Sequence, residues 1–180
     1  MAKPMNNFKK GKDAMPQDDI DSAIIDLARV TRVMAGGKRM RFRATVAVGD
    51  HKGKIGVGVA KGADVSIAVN KATNVAKKNL IVVPLVNETI PHEVLVKFNA
   101  ARILMKPAKH GTGVKAGGVV RMMCDLAGVN NIVSKILGTN NKVNNAKAVL
   151  KAFASLKKPF VSAQPRAEQR EAAPAEAAGV

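Results

Sequence analysis

The sequence predicts an α+β protein built in two successive parts. Three observations carry that prediction. Side chains alternate with period two over residues 39–48 and again over 55–60, the mark of strands. The apolar spacing then changes to that of a helix over residues 65–80. Further on, two short apolar runs are followed by a glycine-rich loop that feeds a second helical stretch. The expected division is an arm over 1–19, a first unit over 20–84, a second over 85–156 and a tail over 157–180.

Residues 1–19 mix Lys, Asn, Pro and Asp without periodicity, which predicts a disordered arm. Ile20 to Val33 is apolar enough for a short helix or a strand, and it runs into a Gly36-Gly37 turn. After the turn, Met40, Phe42, Ala44, Val46 and Val48 fall on one side and Arg39, Arg41, Arg43 and Thr45 on the other. This is the pattern of a half-buried strand with an arginine row outside. The loop Gly49–Gly53 leads to a second strand with Ile55, Val57 and Val59 on one face and Gly56, Gly58 and Ala60 on the other, completing a β-hairpin. Glycines along one strand face predict the close approach of another backbone. In the helix, Val65, Ala68, Val69, Ala72, Val75, Ala76 and Leu80 form the apolar stripe, with Asp64 placed as N-cap.

Pro84 and Pro91 flank a polar boundary. "EVLVKF" and "ARILMKPA" predict two strands, and Gly111–Gly118 a loop leading into a helix over Val119–Ala127 that Gly128 stops. "NIVSKILG" is ordered but could be either type. Asn145–Leu156 predicts a basic amphipathic helix, and the Ala, Pro and Glu beyond it a disordered tail.

Charge narrows the partner. The chain holds 30 Lys+Arg against 13 Asp+Glu, a net of +17. Residues 27–160 carry 24 bases and five acids (Asp50, Asp64, Glu88, Glu93, Asp125), a local excess of 19. Such a body repels itself unless a polyanion covers it, which points to nucleic acid. A membrane-surface protein would want Trp, Phe and Leu along one helix face, and the chain has no Trp, no Tyr and five Phe. No apolar run approaches the ~20 residues a bilayer requires, no secretory signal opens the chain, and the lone Cys124 fits a reducing compartment. A soluble, cytoplasmic protein is expected.

Catalytic and metal chemistry find little footing. "GTGVKA" fits the outline of a dinucleotide fingerprint, but Asp125 comes too early for the ribose acid and no Walker lysine follows. His51, His92 and His110 have no Cys or carboxylate at ligand spacing along the chain. Cys124 reads as a small core hydrophobe. No catalytic residue, metal or cofactor is expected. The arginine row is different: three guanidiniums about 7 Å apart repel one another and gain nothing from a core, whereas phosphates bind guanidinium in bidentate fashion. Lys147 and Lys151 could equally serve a solvated face. Without exposed aromatics to stack bases, recognition should run through backbone charge and shape, as with double-stranded RNA.

The blocks "RVTRVMAGGKRMRF", "VGDHKGKIGVGVAK", "ETIPHEV", "KPAKHGTGVKAGGVVR" and "DLAGVNNIVSKILGTNN", with the helix after them, resemble in order the family of the fifth protein of the bacterial small ribosomal subunit, from about Asp21 to Leu156. The resemblance implies an N-terminal domain like the double-stranded-RNA-binding fold and a C-terminal α/β domain with a left-handed βαβ crossover. It implies binding of small-subunit ribosomal RNA where head and body meet, beside ribosomal proteins four and eight, and a role where messenger RNA enters. It also places the loop Met34–Arg39 in RNA near the spectinomycin site, with an effect on decoding fidelity.

With the basic surface, this gives the expected RNA contacts. They are Arg32, Gly36, Gly37, Lys38, Arg39, Arg41 and Arg43 on the first hairpin, then Lys52, Lys54 and Lys61. Gly111, Thr112, Gly113, Lys115 and Arg121 follow in the second unit, with Asn140 and Asn141 before the last helix. Five positions depart from the family pattern. Ala35 stands where Lys is usual, Arg41 and Arg43 where Ser is frequent, Glu88 for Gly and Lys142 for Pro. Two other classes fit the sequence less well: a phosphate-handling enzyme, for which no catalytic carboxylate set stands out, and a nucleoid-type DNA binder, which would use apolar wedges or an extended basic arm.

Overall fold

A computed structural model describes residues 20–157. The arm expected over 1–19 and the tail, apart from Lys157, lie outside the described residues. The chain forms β1 (Asp21–Met34), β2 (Gly37–Gly49), β3 (Lys54–Gly62), α1 (Val65–Lys78), β4 (Leu80–Val82), β5 (Val94–Phe98), β6 (Ala101–Pro107), β7 (Val114–Lys115), α2 (Gly118–Ala127), β8 (Ile132–Leu137) and α3 (Lys142–Ser155). These make two four-stranded sheets, β1-β2-β3-β4 and β5-β6-β8-β7, within one α+β molecule.

Ile20 to Val33, left between helix and strand by its sequence, is strand. β1 pairs antiparallel with β2 along nearly its whole length, from Asp21↔Gly49 to Met34↔Gly37, with one irregularity between Ile24 and Asp26. The turn at the far end is short because Gly36 and Gly37 both take positive φ, +86° and +146°. β3 continues the sheet on the other side of β2, and β4 closes it. The run read as the end of the α1 stripe is split: α1 stops at Lys78, and Leu80 opens β4 with 37% exposure.

The glycine face of β3 is where α1 sits. A Cβ on Gly58 would lie 2.0 Å from the Ala72 carbonyl oxygen, and one on Gly56 2.4 Å from that of Ala76. Ala68, Ala72 and Ala76 on the facing helix are fully buried, so backbone meets backbone. Asp64 occupies the N-cap position of α1 but makes no side-chain capping bond.

The second sheet rests its inner face on α2 and α3. Val94, Val96, Ala101, Ile103, Met105 and Ile132 join the larger core with Met123, Val149 and Phe153. β8 is the ordered stretch whose type the sequence left open; it pairs parallel with β7 through α2, giving a βαβ unit. α3 begins three residues earlier than the spacing predicts, because the Asn141 side chain accepts from the amides of Val143 and Asn144 at 3.1 and 3.4 Å.

The largest departure concerns β2. A half-buried strand was expected, yet every residue from Ala44 to Gly49 is buried, Thr45 and Ala47 included. Ala44, Val46 and Val48 pack under α1. Ile25, Ala47, Ile55 and Val57 on the opposite face belong to the core built by α2, α3 and the second sheet. The base of the first sheet is therefore sandwiched. The contact is close: a Cβ on Gly49 would lie 2.2 Å from the Leu126 carbonyl oxygen. The amides of His51 and Gly53 donate to Leu126 and Ala127 at 3.0 Å each, satisfying the carbonyls that end α2.

Candidate nucleic-acid interface

Beyond the sandwich, β1 and β2 run on as a two-stranded arm with every residue from Thr31 to Arg41 exposed. Its register builds a cationic face. Arg39 lies opposite Arg32, Arg41 opposite Val30, and Arg43 between Ala28 and Lys61. Residues directly opposite on antiparallel strands share a face, so Arg32, Arg39, Arg41, Arg43 and Lys61 lie together on one side. Among the described residues no carboxylate lies within ion-pair distance of Arg32, Arg39, Arg41 or Lys61. Like charges so placed are destabilising in isolation. A cleft of about 290 Å³ runs along Val30, Arg32, Arg39, Arg41 and Lys61. A second, of about 330 Å³, brings Lys71 of α1 to the same cations. Lys71 was not among the expected contacts, since its helical position gave no sign that α1 would end up beside the arm.

Two expectations for this strand need correcting. Met40 was placed on the core side but is 50% exposed, because α1 and its core end short of the arm. Arg43 was placed in the outward row but turns to Asp26, with Nη2 3.4 Å from Oδ2. The same carboxylate meets Lys142 Nζ of α3 at 3.3 Å, and its side chain is only 18% exposed. Two of the five unusual positions, Arg43 and Lys142, thus converge on one acid. Lys142 sits at the N-terminus of α3, where a cation is disfavoured by the helix dipole, and Asp26 offsets that cost.

The tip carries Gly36, Gly37 and Lys38. A Cβ on either glycine would meet nothing within 4 Å, so their role here is conformational. Lys52 and Lys54 are exposed but sit at the opposite end of β2, about 40 Å from the tip at ~3.4 Å per residue. Asp50 organises that loop, accepting from the amides of Lys52 and Lys54 at 2.8 Å each. Burial works to raise its pKa, but these amides and the Lys54 charge outweigh it and hold the carboxyl below its usual range.

The glycine-rich loop is tied into the fold by its own amides. Gly111 and Gly113 do take left-handed φ, +85° and +71°. The Thr112 amide, however, donates to the Lys109 carbonyl at 3.1 Å, and the Gly113 amide to Asn131 Oδ1 at 3.1 Å. Both are engaged within the protein. Asn131 in turn reaches Glu88, whose carbonyl accepts from Asn130 and Asn131. Glu88 itself has φ +63°, which accounts for glycine at this position in the family pattern. Lys115 and Arg121 are exposed, on β7 and α2. Asn140 is exposed, and the Asn141 side chain is engaged as a cap. The expected contacts therefore do not form one patch. The arm, with Lys61 beside it, gathers the largest group of them, and the rest fall elsewhere on the fold.

Partners far along the chain were invisible to spacing. His51 reaches Asp21 Oδ2 at 3.0 Å and the Asp125 carbonyl at 2.7 Å. His110 stands 3.7 Å from Glu88 Oε2. Lys147 and Lys151, left undecided, turn back on the fold: Lys147 lies 6.0 Å above the Phe98 ring and Lys151 donates to the Lys97 carbonyl. Cys124 is fully buried, and burial followed by the charge of Asp125 pushes its thiol up to about 12. That thiol is no nucleophile. Among the described residues, no group of three or more His, Cys, Asp and Glu could hold a metal ion, and no helix is long and apolar enough to cross a membrane.

Residues 20–84 match the family described as Ribosomal protein S5, N-terminal domain, and residues 96–166 match that described as Ribosomal protein S5, C-terminal domain. The matches fall in chain order and take in most of the 180 residues. The chain therefore belongs to the ribosomal protein S5 family, the structural, non-enzymatic, RNA-binding constituents of the small ribosomal subunit.

Proposed function

We propose that the chain holds small-subunit ribosomal RNA mainly through the phosphates facing its β1–β2 arm, and that it performs no catalysis. The observation that carries this is the arm itself, with Arg32, Arg39, Arg41 and Lys61 on one exposed face and no acid of the described fold paired to them. Guanidinium offers a planar fork to phosphate oxygens, and counterions released from RNA supply the driving force. The turn at Gly36-Gly37 carries no bulk, so the tip can enter a narrow RNA groove. In this reading, Lys38 and the arm steady the decoding region and so affect fidelity. Lys52, Lys54, Lys115, Arg121 and Asn140 add peripheral contacts, while Asn141, Thr112 and Gly113 shape the loops that present them. Proteins four and eight of the small subunit would be its neighbours in the cytoplasmic ribosome, with messenger RNA passing nearby. Tagged protein should cosediment with small subunits through a high-salt sucrose cushion. Recovery with the free proteins at the top would contradict the proposal.

A further inference from the structure

The second sheet has an outer face that no helix of the described fold covers. Its inner residues alternate into the core, so the residues between them point away. Strand register arranges these in three rows. Lys97, Arg102 and Leu137 form one, Leu95, Leu104 and Lys135 the next. Lys106, Val133 and Lys115 form the third. Leu95 is 64% exposed, and Val133 and Leu137 40% each. The acid bordering this face is Glu93, 3.3 Å from Lys106.

We infer that this face is a second RNA-contact surface, separate from the arm, which takes a duplex by its phosphates and sugars. The placement of charge decides against a protein partner. Protein interfaces deplete lysine from their cores and keep charge for the rim. Here every row carries a cation and so does every strand, Lys97 on β5, Arg102 and Lys106 on β6, Lys135 on β8 and Lys115 on β7, so no uncharged core is left for a rim to surround. Three rows each holding at least one cation, about 7 Å apart, suit a polyanion laid across the strands. The leucines and valine between them cannot stack bases as aromatics do, but they offer an apolar floor to ribose. Bridging follows from the arrangement, because the arm and this face belong to different sheets and can hold two RNA segments at once.

The class of partner rests on the RNA reading above, whereas the location does not. The test compares full-length protein with an Arg102→Ala/Lys106→Ala/Lys135→Ala variant and an Arg39→Ala/Arg41→Ala variant, each titrated with a labelled RNA duplex over a range of salt. Each lost phosphate contact should remove ~0.7–0.9 from the log–log slope. The inference expects the sheet variant to lose about two units, the arm variant to lose its own share, and the losses to add. Retention of the slope by Arg102→Lys/Lys106→Arg/Lys135→Arg separates charge from folding. A wild-type slope in the Ala sheet variant, with the arm variant impaired, overturns this inference alone. A wild-type RNA slope with lost binding to a polyglutamate peptide would assign the face to an acidic protein and overturn it equally. Wild-type slopes in both Ala variants would overturn the arm reading as well.

Discussion

The two halves of β2 share one pattern of alternation and meet opposite fates. From Ala44 to Gly49 both faces are buried, one under α1 and the other against α2 and α3. From Gly37 to Arg41 both are exposed. Small residues mark the buried half, where the close approach of backbones leaves no room. Arginines mark the exposed half, where no protein surface arrives. The strand is a lever, with its base clamped by the fold and its tip left for a partner that the fold does not supply.

The two sets of glycines offer the sharpest way to break that comparison. Gly58→Val drives a side chain into the α1 backbone, where even a Cβ would lie 2.0 Å from the Ala72 carbonyl oxygen. A loss of about 3 kcal/mol or more is expected in chemical denaturation. Gly36→Ala meets open space but must hold φ +86°, so it should cost only about 1 kcal/mol. Equal losses at the two positions would mean that the base is not clamped as described.

Much of the arm was legible because it depends on neighbours in sequence. Alternation fixed the face of Arg39 and Arg41, and the Gly56/Gly58 face announced α1 before the helix was placed. What stayed hidden came from distant chain. Thr45 looks like a surface residue by its alternation, yet it is fully buried. Asp26 carries no local sign that Arg43 and Lys142 will both reach it, so Arg43 was misassigned to the free row. One partner of the glycine loop stayed hidden for the same reason: Asn131, 18 residues on, accepts the Gly113 amide.

The joint between lever and clamp is Asp26. Asp26→Asn keeps its shape and removes the charge that Arg43 and Lys142 share. A loss of about 1 kcal/mol is expected, read as a fall of about 3 °C in the melting midpoint. Binding of RNA by the arm should persist, because Arg39 and Arg41 have no part in the pair. An unchanged melting curve would show that the ion pairs contribute nothing to the joint.

The smallest effect belongs to the other end of β2. Both ring nitrogens of His51 face acceptors, Asp21 Oδ2 and the Asp125 carbonyl, so the protonated ring alone donates to both. The Asp21 hydrogen bond, followed by that of Asp125, raises its pKa above the ordinary 6.5. A raised folded pKa means that the stabilisation is complete below 6.5 and is lost as pH climbs through the folded value. With the side chain 49% exposed, solvent screening keeps the contribution below ~1 kcal/mol. Denaturation midpoints should therefore fall slightly from pH 6 upward in the native chain, and His51→Ala should remove that component. A parallel pH profile in the variant would assign the dependence elsewhere.

The central claim is that RNA supplies the cover the arm lacks. Arginine-directed labelling with phenylglyoxal, mapped by mass spectrometry on the free protein and on the assembled small subunit, tests it most directly. Arg39 and Arg41 should react readily in the free protein and become protected in the particle, with protection reversed by ribonuclease. Continued reactivity of both arginines in the intact particle would contradict the account.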